Sequence, residues 1–167
     1  MQVVFITGGS TGIGKATGVL LQSLGYYVVG TSRSPDRYAN HPFSLLEMDL
    51  HDIASIQKAI KEVVSKYGCI DVVVNNAGIG GDTGPIQNAQ TKGWQWALDV
   101  NLMGVMYGAK VIVPWIKQHG EGGWIINVAS MAGMGGIPYN GAYTATKTAV
   151  VALSESWAAE LQSKDIK

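Results

Sequence analysis

The chain has 167 residues, 47% of them hydrophobic, which allows one domain with a sizeable core and excludes a miniprotein held together by disulfides or metals. Twelve basic residues balance twelve acidic ones without forming blocks, so neither a nucleic acid nor a membrane surface is expected as a partner. The single Cys69, with no leader peptide and no apolar span of about 20 residues, predicts a cytoplasmic protein.

Short apolar runs alternate along the chain with helical patterns. Strands are predicted over residues 3–6, 26–30, 44–48, 70–74 and 124–128. Helices are predicted over residues 12–24, from a cap at 52 to about 67, over 91–117 and over 142–162. In the first helix the apolar residues recur at helical spacing, at Ile13, Ala16, Val19, Leu20 and Leu24. Pro114 is expected to bend or end the third helix.

This alternation predicts βαβ units in an α/β fold with a doubly wound, mainly parallel sheet, as one domain over residues 1–167. Five strands are visible, whereas a complete doubly wound dinucleotide-binding fold has six. The sequence therefore predicts either an unusually short sheet or a fragment with an uncovered apolar edge.

Glycines cluster between the first predicted strand and its helix. Unpaired N–H groups and the helix dipole favour a phosphate at such a helix start. Gly8 would allow the tight turn, Gly12 the approach of a pyrophosphate and Gly14 close packing of helix on sheet. The same loop also reads as a P-loop, but Ala16 stands where a magnesium-binding hydroxyl is needed. A dinucleotide site is therefore the favoured interpretation, and a tight βα turn without a ligand is the alternative.

The end of the second strand indicates which dinucleotide is bound. No acidic residue stands there to bind the ribose 2′-hydroxyl of NAD, since the first acidic residue is Asp36. Arg33 offers a planar, permanently charged donor fork for a 2′-phosphate, with Ser32 and Thr31 as small donors beside it. NADP(H) is therefore favoured over NAD(H), and the alternative is that Arg33 is a solvated loop cation.

Four motifs in order resemble the short-chain dehydrogenase/reductase family over nearly the whole chain. They are the TGxxxGxG loop at residues 7–14, the NNAG turn at 75–78, Asn101 on a helix, and Ser130 ahead of Tyr143 and Lys147 in a YxxxK pattern. The resemblance implies a Rossmann-type sheet, a nicotinamide cofactor, and reversible redox chemistry between carbonyl and alcohol. It also implies that the chain stops after the helix that carries Tyr143 and Lys147.

The spacing of Tyr143 and Lys147 suits proton transfer, because residues four apart share one helix face. A nearby ammonium stabilises a phenolate, so Lys147 would make Tyr143 usable as an acid or base. Ser130 would hydrogen-bond the reacting oxygen. By the resemblance, Lys147 also binds the nicotinamide ribose and Asn101 holds a water in a proton relay.

The resemblance extends to the other cofactor contacts. It implies that Asp49, followed by Leu50, holds the adenine edge and that the turn over residues 76–78 lines the adenosine ribose. The full set of predicted cofactor-binding residues is Gly8, Ser10, Thr11, Gly12, Ile13, Gly14, Ser32, Arg33, Asp49, Leu50, Asn76, Ala77, Gly78, Tyr143 and Lys147.

The remaining polar candidates receive ordinary structural interpretations. His41, His51 and His119 are scattered without ligand spacing, so they are predicted to be surface residues and no metal is expected. Cys69 is predicted to act as a small hydrophobic residue.

Two functions are carried forward. The first is an NADP(H)-dependent oxidoreductase acting on a small carbonyl or alcohol substrate, and the second is a dinucleotide-binding fragment or degenerate relative without turnover that acts through subunit association. Small and apolar residues on the last helix, together with the resemblance, predict a homodimer or homotetramer.

Overall fold

A computed structural model describes residues 2–167 and contains one five-stranded parallel sheet in the order β3-β2-β1-β4-β5. The predicted doubly wound parallel sheet is therefore confirmed. Each strand begins and ends within two residues of its predicted bounds: β1 is Val3–Ile6, β2 Tyr27–Ser32, β3 Ser44–Glu47, β4 Val72–Asn75 and β5 Trp124–Asn127.

Five α-helices connect or follow the strands. They are α1 (Gly12–Ser23), α2 (Ile53–Tyr67), α3 (Thr91–Leu98), α4 (Gly104–His119) and α5 (Gly141–Leu161). The predicted cap of α2 is confirmed, because the Asp52 side chain accepts a hydrogen bond from the Ala54 N–H at 2.9 Å. At the other end of α2, Gly68 adopts a left-handed conformation with a φ of 86° and closes the helix.

The two faces of the sheet carry separate cores. On one face, Phe5 and Val73 pack with apolar residues of α2, α4 and α5, such as Ile60, Ile112 and Leu161. On the other face, buried strand residues including Val4, Ile6 and Val74 pack with Leu21 of α1 and with Phe43. Strands buried on both faces explain why their sequences are continuously apolar.

The orientation of α1 differs from what its apolar spacing suggests. Its predicted periodic residues lie largely in solvent, with Ile13, Leu20 and Leu24 between 60% and 67% exposed. The buried face carries Gly14 and Gly18 instead, and a Cβ on Gly18 would overlap the Phe43 ring. Glycine permits this close packing of helix on sheet, and a hydrophobicity pattern does not register glycine.

The long predicted helix after β4 is divided. A π-helical turn, Asp99–Met103, separates α3 from α4, whereas Pro114 lies inside α4, which continues to His119. By length and apolar composition alone, the stretch Thr91–His119 could cross a membrane. In the structure, its residues Ile112 and Ile116 are fully buried in the core on the sheet.

The edge of the sheet at β5 is partly uncovered, as the strand count predicts. Trp124 and Ile126 of β5 are each 46% exposed. The last residues of the chain return to the start of this edge, where Gly123 and Ile166 form a parallel bridge and the Ile125 N–H donates to the Lys167 carbonyl at 2.8 Å. The exposed apolar side chains lie next to this short pairing.

Candidate active site at the carboxyl ends of the strands

The turn after β1 is shaped by two glycines. Gly12, the first residue of α1, has a φ of 54°, a conformation that side chains rarely adopt. Gly14 packs so closely that a Cβ would overlap the Asn76 amide and the Gly8 carbonyl oxygen. Thr11 precedes α1 without capping it by its side chain, and no acidic residue lies in the first helical turn. The N–H groups at the start of α1 are therefore available to an anion.

A compact set of hydrogen bonds joins the ends of β1 and β4. The Thr7 hydroxyl oxygen accepts the N–H groups of Asn76 and Ala77, each at 3.1 Å. The Asn76 amide nitrogen donates in return to the carbonyl oxygens of Thr7 and Gly8, at 3.0 and 3.1 Å. We call this group the Thr7–Asn76 clasp, and it fixes the glycine turn against the loop after β4.

A pocket of about 550 Å³ lies at the carboxyl ends of the strands, in front of the glycine turn. Twelve of the predicted cofactor-binding residues line it: Gly8, Ser10, Thr11, Gly12, Ile13, Ser32, Arg33, Asp49, Leu50, Asn76, Ala77 and Gly78. Gly14 lies buried beneath the turn. The structure thus brings the glycine turn, the end of β2 and the end of β3 to one cavity.

Tyr143 and Lys147 line a second pocket, of about 360 Å³. The two pockets share Ile13, Asn76 and Gly78 in their walls, so they adjoin. A single elongated ligand could therefore extend from the ends of β2 and β3 to the face of α5.

Lys147 is held in place by the end of β5. Its ammonium donates to the Val128 carbonyl oxygen at 2.7 Å and lies 5.8 Å from the centre of the Tyr143 ring. The residue is only 4% exposed, and burial lowers the pKa of its ammonium. The arrangement places a positive charge beside the Tyr143 ring.

Asn101 sits in the π-helical turn and is completely buried. Its Oδ1 accepts the Ile79 N–H, and its Nδ2 donates to the Ile79 carbonyl oxygen, both at 2.8 Å. The second Nδ2 hydrogen goes to the Thr146 hydroxyl at 3.1 Å, and that hydroxyl donates to the Tyr143 carbonyl oxygen. The Asn101 side chain therefore joins the loop after β4 to the first turns of α5.

Ser130 follows β5 and caps a short 3-10 turn, where its hydroxyl accepts the Ala132 N–H at 3.2 Å. It lies two residues beyond Val128, the residue that holds Lys147. Unlike Tyr143 and Lys147, Ser130 is not among the residues that line the second pocket. Of the four predicted catalytic residues, Tyr143 and Lys147 line this pocket, whereas Ser130 and the buried Asn101 do not.

Six residues of the larger pocket lie outside the predicted cofactor-binding set: Thr31, which precedes the predicted Ser32, and Met48, His51, Ile79, Trp96 and Val100. Met48 and His51 flank the predicted Asp49 and Leu50, and Ile79 follows the predicted Gly78, so adjacency was the signal that could have found them. Trp96 lies on α3 and Val100 lies four residues later in the π-helical turn, and no motif marks either of them. His51 is exposed, as predicted, and it also belongs to the pocket wall.

A second cluster of polar residues lies at the amino ends of β4 and β5, on the opposite edge of the sheet. The side chains that could bind a metal ion are those of Asp71, His119 and Glu121, whose ligand atoms lie within 4.8 Å of one another. Their spacing along the sequence did not predict this cluster. Asp71 already accepts the Val3 N–H at 2.6 Å, and Glu121 is exposed. Cys69 packs beside the main core as predicted, and burial and the neighbouring Asp71 raise its pKa.

The fold is thus a Rossmann-type sheet with a pocket where such sheets bind ligands. The family model for short chain dehydrogenases matches residues 2–167, and the chain belongs to this family.

Named relatives and solved structures agree with this membership. The chain is 36% identical to a 3-ketodihydrosphingosine reductase of Bacteroides thetaiotaomicron over 99% of its own length and 61% of the relative. It superposes on a 3-ketoacyl-(acyl-carrier-protein) reductase of Brucella melitensis complexed with NADH, with a TM-score of 0.94, 27% identity, and coverage of 99% of this chain and 72% of that one. For ElxO with NADP bound, the TM-score is 0.90, the identity 31%, and the coverage 99% and 70%. The chain thus spans about three fifths of the first of these relatives.

The buried link between Asn101 and Thr146 yields a stability prediction. Thr146→Val keeps the shape of the side chain but leaves one Asn101 N–H unpaired, so the free energy of unfolding should fall by about 1–3 kcal/mol. Thr146→Ser, which retains the hydroxyl, should lose less. Urea denaturation measures both, with the exposed Thr148→Val as control. A Thr146→Val chain as stable as the wild type would contradict the assigned hydrogen bonds.

Proposed function

We propose that the chain is the cofactor-binding and proton-transfer part of a cytoplasmic NADP(H)-dependent oxidoreductase that interconverts a carbonyl and a secondary alcohol. The observation that carries the proposal is the shared wall between the pocket at the glycine turn and the pocket of Tyr143 and Lys147. The family membership and the names of the reductases among its relatives support the same reaction class.

The two adjoining pockets together suit a dinucleotide. The free N–H groups at the start of α1 suit the pyrophosphate, and Arg33 and Asp49 suit the adenosine end. The nicotinamide would then lie on the side of Tyr143 and Lys147, beyond the shared wall at Asn76 and Gly78. When bound there, the nicotinamide supplies or accepts the hydride.

The protein's own part of the reaction is the movement of a proton. The Tyr143 hydroxyl donates its proton to the carbonyl oxygen of the substrate during reduction and removes one from the alcohol in the reverse direction. The Lys147 ammonium, 5.8 Å from the ring centre, stabilises the phenolate that remains. Ser130 would donate its hydroxyl hydrogen to the same substrate oxygen, since its contact with the Ala132 N–H uses only an acceptor position of the hydroxyl.

Asn101 supports this chemistry mainly through position. Its side-chain amide is engaged by Ile79 and Thr146, which sets the spacing between the loop after β4 and α5. The relay water that the family resemblance assigns to Asn101 would then be held by its remaining acceptor groups, since the amide hydrogens are already used.

The preference for NADP(H) rests on the charge at the adenosine end. Arg33 is exposed in the pocket wall, and its charge, together with stronger hydrogen bonds from His51, lowers the pKa of Asp49. No acidic residue follows β2 before Asp36, so nothing at the end of this strand repels a 2′-phosphate. A guanidinium forms a two-pronged, charge-assisted contact with a phosphate.

Arg33→Ala should therefore weaken NADPH binding by about one to two decades, because a charged hydrogen bond contributes about 1.5–3 kcal/mol. NADH binding should hardly change. Nucleotide fluorescence titration measures both constants, and the exposed Arg37→Ala serves as the matched control. Equal weakening of NADPH and NADH by Arg33→Ala would show that the arginine supports the fold or the adenine pocket instead.

Tyr143→Phe should abolish oxidation of NADPH by a panel of ketone substrates while leaving NADPH affinity intact, because the phenol transfers the proton but does not hold the pyrophosphate. Tyr26→Phe, remote in the second core, is the control. Turnover by Tyr143→Phe near the wild-type rate would contradict the assignment. NADPH binding without any turnover by the wild-type chain would favour the second function, a dinucleotide-binding subunit without catalysis.

Self-association through α4 and α5 completes the proposal. On α5, small residues such as Ala145, Ala152 and Ser156 remain exposed, and they allow a second helix to approach closely. We expect a homodimer or homotetramer, and light scattering at micromolar concentration should give a multiple of the 17.7 kDa chain mass. A monomer mass from the folded chain would contradict this assembly.

A further inference from the structure

A histidine grips the carboxylate at the adenosine end of the larger pocket. His51 Nδ1 lies 2.8 Å from Asp49 Oδ1, and the His51 backbone N–H donates to the same oxygen at 3.0 Å. Because a carboxylate only accepts, Nδ1 carries the proton in this contact. The two side chains are 34% and 49% exposed, and both line the pocket.

These bonds occupy one carboxylate oxygen, Oδ1, and no residue within 2–167 hydrogen-bonds the other. The Asp49 N–H is also fixed, since it donates to the Ser55 hydroxyl at 3.0 Å. The hydrogen bond from the His51 N–H is the largest of the influences that lower the pKa of Asp49, so the group is an ionised acceptor at neutral pH. Asp49 thus has a fixed orientation and one free, charged oxygen, Oδ2.

The sheet order indicates what this oxygen meets. The glycine turn follows β1, Arg33 follows the neighbouring β2, and Asp49 follows β3 at the outer edge. A dinucleotide with its pyrophosphate at the turn and its ribose at Arg33 carries its base toward β3. In the adenosine half, the 6-amino group of adenine holds the only N–H donors, and a carboxylate is their natural acceptor.

We propose that His51 is a positioning residue for the cofactor's base: it holds Asp49 so that the free oxygen accepts the 6-amino group, and it thereby selects adenine over hypoxanthine. This inference rests on the proposed dinucleotide function.

Hypoxanthine is the base that most directly tests whether His51 orients the Asp49 carboxylate. It presents a carbonyl oxygen at position 6, which the Asp49 carboxylate repels, and an N–H at the adjacent position 1. A carboxylate held by His51 stays opposite position 6, whereas a released one can turn to accept the N–H at position 1. Removing the imidazole should therefore weaken binding of the adenine dinucleotide and narrow the difference between the two bases.

The experiment is a fluorescence titration of the full chain with NADPH and with its hypoxanthine analogue, deamino-NADPH. The wild type should bind NADPH about tenfold more tightly than deamino-NADPH. His51→Ala should reduce this ratio of dissociation constants by about threefold or more, because the hydrogen bond that orients the Asp49 carboxylate is lost. His51→Asn places an amide N–H near the position of Nδ1 and should restore most of the preference. The backbone N–H of residue 51 remains in every variant, so the imidazole alone is tested.

Asp52→Ala is the matched control for a merely structural effect. It removes the cap of α2 one residue away and should lower the melting temperature, yet it leaves the Asp49–His51 pair intact and should keep the wild-type ratio.

An unchanged ratio in His51→Ala would overturn the proposal, as would equal weakening of both dinucleotides. A wild-type chain that binds neither dinucleotide would overturn the proposed function as well. Failure of the proposed function would be seen with the wild-type chain, whereas failure of the His51 proposal would be seen only with the variants, so the two failures are distinguishable.

Discussion

The site depends on one buried contact, the Thr7–Asn76 clasp. Four hydrogen bonds between the ends of β1 and β4 fix the glycine turn against the loop over residues 76–80. Thr7 is 3% exposed, so water does not compete for these groups and the loss of one partner would leave others unpaired. Because the turn and the loop both line the larger pocket, these bonds hold together two parts of its wall that lie far apart in the sequence.

Helix α5, which carries Tyr143 and Lys147, is hydrogen-bonded to neighbouring segments at two points. Lys147 donates to the carbonyl of Val128 just beyond β5, and Thr146 bonds to Asn101, which in turn holds Ile79. The π-helical turn places Asn101 at the position where it reaches both partners. The distance between the glycine turn and the Tyr143 phenol is therefore held by side-chain hydrogen bonds. The proposed transfer of a hydride and a proton would require such a fixed spacing.

Much of this architecture could be predicted from the sequence, because strands buried on both faces are continuously apolar and the motif residues recur in a set order. The start of α2 was predictable because Asp52 caps the helix through a hydrogen bond to a residue two positions away, and such local contacts can be inferred from the sequence. On the inward face of α1, the close packing of Gly14 was predicted from the glycine motif, but that of Gly18 was not, since Gly18 packs by lacking a side chain and no motif marks it. The π-helical turn and the place of His51 in the pocket arise from tertiary contacts, which no spacing along the chain records.

The central claim is that the glycine turn holds the pyrophosphate of a nicotinamide dinucleotide. The most direct test is NADPH titration of the wild-type chain, Gly12→Val and Gly25→Val. Both glycines have positive φ and open space around them, so the substitutions strain the backbone comparably, but only Gly12 lies in the pocket. The account predicts saturable binding of one NADPH per chain by the wild type and Gly25→Val, and its loss in Gly12→Val. Undiminished binding by Gly12→Val, or none by the folded wild type, would contradict it.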